Sequence, residues 1–129
     1  MASKIRPTLA LFGEAEKGQY KKAYVLQELG QLVDAFGNPP QDSQGIFFAV
    51  QALLYQRELI YFRVAEEGYS ADDYFFGLKH LEGLKKLHAL CMPGVGEPEI
   101  MEASRNVCSK HCSVLITSQK DLYDYLTSR

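Results

Sequence analysis

Four short apolar runs alternate along this chain with segments of helical hydrophobic spacing, and no other feature of the sequence limits the fold as strongly. The first run is Thr8-Leu9-Ala10-Leu11-Phe12, closed by Gly13. Leu59–Val64, Leu87–Met92 and Ser113–Thr117 are the others. Each has strand length, and apolar residues at successive positions mark a strand covered on both faces. Between the first two runs, Val25, Leu26, Leu29, Leu32, Val33 and Phe36 predict a helix ended by Gly37. After the Asn38-Pro39-Pro40 loop, Asp42 or Ser43 is placed to cap a second helix carrying Ile46, Phe47, Val50, Leu53 and Leu54. Ser70 with Asp73 opens a third helix, bearing Phe75, Leu78 and Leu81. Pro98 suits the first position of a fourth, flanked by Glu97 and Glu99. Ser118 with Asp121 opens a short fifth, ending near Leu126.

Such alternation predicts an α/β fold of three layers, with about four mainly parallel strands and about five helices on both sheet faces. A length of 129 residues with no internal linker predicts a single domain over 1–129. Parallel strands joined by crossovers bring the loops that follow them to one edge of the sheet, where open α/β sheets bind ligands. Those loops are 13–18, 65–70, 93–97 and 117–120.

Hydrophobic residues at 47% and charged residues at 23% argue against disorder. The net charge of −2 excludes a strongly basic nucleic-acid binder. The most apolar window, 45–64, contains Arg57, Glu58 and Arg63, so no membrane span is expected. Leu9–Phe12 is too short for the apolar core of a signal peptide. Cys91, Cys108 and Cys112 make an odd count, and reduced thiols in a cytoplasmic protein are the expectation.

Gly13-Glu-Ala-Glu-Lys-Gly18 has the glycine spacing of a phosphate-binding loop. Gln19 and Tyr20 stand where that loop needs lysine and a hydroxyl, which rules out its ATP chemistry. Gly94-Val95-Gly96 precedes a helix but lacks the third glycine of a dinucleotide fingerprint, Glu99 standing in its place. The acids Glu14, Glu16, Glu66, Glu67, Asp72, Asp73, Glu97, Glu99 and Asp121 all fall at the expected edge. Most are ordinary partners of helix N-termini, although several converging could serve as general base or hold a divalent ion. Cys108, His111 and Cys112 do not have the spacing of a zinc knuckle, and no metal is expected. Phe47, Phe48, Tyr61, Phe62, Phe75 and Phe76 read first as core, with some left for a dimer face.

In order, Phe12-Gly13, Gly18, Tyr20, Ala23, Leu29-Gly30, then Gly45–Val50, Pro93–Glu99 and Val114–Asp124, resemble the lysine-decarboxylase-like family of cytokinin-nucleotide phosphoribohydrolases. Glu97 stands at the place of that family's motif threonine, and Glu99 reaches the place of its catalytic glutamate across a gap. The resemblance implies a Rossmann-like fold and a nucleotide-like small ligand.

Two functions remain open on these residues. One is binding of a small, nucleotide-like molecule at the sheet edge. Gly13, Lys17, Gly18, Gly94, Gly96 and Ser118 would line that site, Arg63 would balance charge, and Glu67 or Glu99 would act as acid or base. The other is a non-enzymatic interaction module, with a homodimer as its expected form. Hydrolysis by paired carboxylates and a metal is a third, narrower reading. Nothing in these motifs names a cofactor.

Overall fold

The computed structural model describes residues 6–127. Thr8–Gly13 forms β1 at the centre of the sheet, and its Leu9, Ala10, Leu11 and Phe12 are fully buried. Tyr24–Leu26 forms β2, Leu29–Phe36 α1 and Gly45–Leu54 α2. Glu58–Arg63 is β3, Ala71–Glu82 α3 and Ala89–Cys91 β4. Pro98–His111 is α4, Val114–Ile116 β5 and Gln119–Thr127 α5. The strand order is β2-β3-β1-β4-β5. β3, β1, β4 and β5 run parallel, and β2 joins β3 antiparallel at the edge.

Side-chain alternation along β1 divides the core into two halves. Leu9 and Leu11 pack with Leu32, Phe36, Ile46, Ala49, Leu53 and Leu122 under α1, α2 and α5. Ala10 and Phe12 pack with Tyr74, Leu78, Ile100 and Val107 under α3 and α4. This is the expected three-layer, Rossmann-like α/β arrangement with helices on both faces. Phe12 stacks on Phe62 and Tyr74 at 4.8 and 5.2 Å between ring centres. Gly77 admits this stack, because a Cβ there would strike the Phe12 ring.

The sheet has five strands rather than four, and the difference lies in 24–28. Val25 and Leu26 fit a helical period with Leu29 and Leu32, yet they form β2, paired with Ile60 and Leu59. Gln31 Oε1 accepts the Gln27 and Glu28 amides at 2.7 and 3.0 Å, which fixes the start of α1 at Leu29. Three aromatics expected in the core are on the surface. Phe47, Phe75 and Phe76 are 53%, 36% and 41% exposed, while the neighbours Phe48 and Tyr74 are buried.

Strand order reverses between β1 and β4. The chain leaves β1 through α1 and α2 towards β3, then crosses by α3 to β4 on the other side. Such a switch point opens a crevice at the carboxyl ends of the strands.

Candidate functional site

At that edge the loop after β1 meets the start of α2. A Cβ on Gly13 would lie 2.6 Å from the Gly45 Cα and 2.6 Å from Tyr61 Oη, and the same holds in reverse. The two backbones therefore touch, and the first turn of α2 faces the loop after β3. Glu67 in that loop fills the helix end. Its Oε2 accepts the Glu14 amide at 2.9 Å, Ser43 Oγ at 2.8 Å and the Gly45 amide at 2.8 Å. Its Oε1 accepts the Gln44 amide at 3.0 Å. Glu14 reciprocates, with Oε2 accepting the Glu67 amide at 2.9 Å, while its carbonyl accepts Tyr61 Oη at 2.8 Å. Burial, reinforced by the Glu67 charge, raises the Tyr61 phenol well above its usual range, so Tyr61 remains a neutral donor.

A carboxylate at a helix N-terminus satisfies free amides and favours the positive end of the dipole. Local residues do not provide this here. Gln44 is the N-cap residue and makes no side-chain cap bond. Ser43, expected as a cap, is buried and spends its hydroxyl on Glu67. Glu67, expected as acid or base, is taken up by four donors and holds α2.

Beside this clasp lies an open groove of about 780 Å³, lined by Asp42, Ser43, Gln44, Phe47, Gly94, Thr117, Ser118 and Gln119. Of the residues expected at a site, Gly94 and Ser118 line it. Gly94 has φ +81°, and Ser118 Oγ accepts the Asp121 amide at 3.2 Å. Gly13 and Glu67 support the groove from behind. Lys17, Gly18 and Arg63 lie in a different place, on the β2 side of the edge. Arg63 Nη1 donates to the Gly18 carbonyl at 2.6 Å and its guanidinium stacks on Tyr20 at 4.4 Å. Gly18 has φ +109° against the Phe36 ring, and the Lys17 amide donates to the Phe36 carbonyl at 3.2 Å. Arg63 is thus an anchor for the 14–23 loop and balances no charge at the groove. Gly96 faces open space, and Glu99 borders a separate shallow hollow with Pro98, Met101, Glu102 and Arg105.

Beyond the Glu14–Glu67 clasp, the acids serve separate partners. Glu16 Oε1 accepts the Asn38 amide at 3.0 Å and Asp73 Oδ2 accepts the Ala65 amide at 3.0 Å. Asp72, Glu99 and Asp121 occupy the first turns of α3, α4 and α5. Among the described residues no group of three or more His, Cys, Asp and Glu side chains is placed to hold a metal ion. The paired-carboxylate reading is left with Glu14 and Glu67 alone, and both side chains already accept backbone amides. No helix among the described residues is long and apolar enough to cross a membrane.

The Cys–His cluster is also dispersed into structural roles. His111 Nε2 lies 2.8 Å from the Leu81 carbonyl, and His88 Nδ1 accepts the Thr8 amide at 3.0 Å. Cys91 and Cys108 are buried, which raises both thiols, while Cys112 is exposed. A native-state thiol titration is expected to label Cys112 within minutes and the other two only after denaturant is added. Rapid labelling of all three would mean that the core around Cys91 opens readily.

Thr117 and Gln119 come from the expected 117–120 loop, whereas Asp42, Ser43, Gln44 and Phe47 lie outside every loop expected at the edge. The region between Pro40 and α2 follows no strand, so the edge argument passes over it. Fold and edge together define a switch-point α/β protein with a polar groove beside a self-capped helix. Comparison of the chain with protein-family models, with curated proteins and with solved structures gave no match in any of the three.

Proposed function

We propose that the protein binds a small, planar, uncharged or cationic molecule in the edge groove, of the nucleoside or nucleobase class rather than a phosphorylated one. The observation that carries this reading is the lining of the groove. Hydroxyls of Thr117 and Ser118, the amides of Gln44 and Gln119 and the half-exposed Phe47 ring supply hydrogen bonds and a stacking face. No lysine or arginine lines it, and Asp42 does. The anion position at α2 is already filled by the Glu67 carboxylate. A phosphate would meet negative charge with nothing to offset it.

Thermal unfolding in the presence of nucleosides, bases and their phosphorylated forms tests this. At a hundred times its dissociation constant a ligand adds about 2.7 kcal/mol, several degrees for a chain of this size. The expected result is a shift with the unphosphorylated series, lost in Gln44→Trp, which fills the groove from an exposed position. A shift only with phosphorylated compounds overturns the charge argument. No shift in either series overturns the ligand reading.

A further inference from the structure

Among the five helices of the described residues, α2 alone has no charged residue. Ile46, Ala49 and Leu53 form its inward stripe and are buried on the sheet. Phe47, Val50, Gln51 and Leu54 form a second stripe at the same i, i+3, i+4, i+7 spacing, turned outwards. Phe47 and Leu54 are 53% and 58% exposed. A helix apolar all round is ordinarily enclosed by protein, yet this one lies in an outer layer between α1 and α5. A trough of about 520 Å³ runs along the outer stripe, with Leu122, Tyr123 and Leu126 of α5 as its other wall. Leu29 and Val33 of the neighbouring α1 are also exposed.

We infer that a second copy of this chain covers the outer stripe of α2, in a two-fold dimer with the α2 helices packed against each other. The occupant follows from charge. A partner of opposite sign has nothing to read in the trough, since every residue lining it is uncharged. The same surface can face itself without like-charge repulsion, which a two-fold interface requires because each patch meets its own copy. The rim suits that pairing. Lys120 and Asp124 stand 3.0 Å apart on exposed α5, so both signs are present for cross-pairing with the copy. Phe47, Leu54 and Tyr123 on or beside the trough are each more than half exposed, and a two-fold contact along the stripe buries all three on both copies. The other exposed aromatic group, Tyr69, Phe75 and Phe76, lacks this character because Asp72, Asp73 and Lys79 share α3 with it.

Sedimentation of the whole chain over a range of concentrations tests the dimer, with Leu54→Asp as the disrupting variant. Leu54 is exposed and at the end of α2 away from the groove, so the substitution should lower the unfolding midpoint of the monomer only slightly, by the propensity and dipole cost of an acid in the last turn. The expected result is twice the chain mass for the parent and at least a hundredfold weaker association for L54D, since two unpaired charges enter the interface. Gln51→Cys in a Cys112→Ser background adds a positional readout. Gln51 lies in the middle of the stripe, and a symmetric α2 pair brings its two copies together for a disulfide. A parent that stays monomeric at high concentration overturns the inference. So does a dimer that survives L54D and forms no Gln51→Cys cross-link, because its interface lies elsewhere. Ligand shifts measured in L54D keep the groove reading separate from this one.

Discussion

Glu67→Ala is expected to lower the free energy of unfolding by about 4 kcal/mol, read from urea denaturation at neutral pH. The carboxylate accepts from Glu14, Ser43, Gln44 and Gly45, and two of those donors belong to buried residues. Removing it leaves the Ser43 hydroxyl and the Gly45 amide without an acceptor, and an unsatisfied buried donor costs about 1–3 kcal/mol. It also removes the negative charge at the start of α2. Glu67→Gln keeps one acceptor oxygen but turns an amino group towards donors, so about half of the loss is expected there. Formate supplies a carboxylate small enough for the vacated space. Adding it should restore part of the stability of Glu67→Ala and change the parent little. A loss under about 1 kcal/mol would show that α2 does not depend on this carboxylate, and would return Glu67 to the candidates for acid–base work.

Gly13→Ala should cost about 3 kcal/mol without any ligand present, by the same measurement. The added Cβ would lie 2.6 Å from both the Gly45 Cα and Tyr61 Oη, and 3.1 Å from Glu67 Oε2. None of these is the loose end of a flexible side chain. The backbone must therefore move, and it carries the Glu67 clasp with it. Gly45→Ala meets the same wall from the other side. The double variant should cost less than the two single losses together, because the first Cβ has already forced the backbones apart. Gly96→Ala is the control. Nothing lies within 4 Å of a Cβ there, and a change within about 0.5 kcal/mol is expected. Equal losses at 13 and 96 would deny the close approach of Gly13 and Gly45.

The parts of the fold that local pattern determines were legible. β1 and β3 are apolar on consecutive residues because helices cover both faces, and that alone implies a parallel centre and a carboxyl edge. β2 was not legible. Val25 and Leu26 suit a helix or a strand, and only the presence of β3 beside them decides. Phe47 and Phe48 could not be sorted either. Both stripes of α2 are apolar, so periodicity gives no preference for which of them faces the sheet. The site was half legible for a related reason. Topology located the edge, and Gly94 and Ser118 line the groove there. The use of Glu67 as a remote cap leaves no local signature, since the sequence near Asp42 and Ser43 already resembles a helix start.

The distance between α2 and its cap also bears on how the chain is made. Glu67 lies 22 residues beyond Gly45, so translation delivers an uncharged helix well before the residue that secures its first turn. At ordinary elongation rates that interval lasts about one to four seconds. Until β3 and then Glu67 follow, the segment that will carry two apolar stripes lacks both a strand it packs against and its cap, and its apolar residues are open to a chaperone.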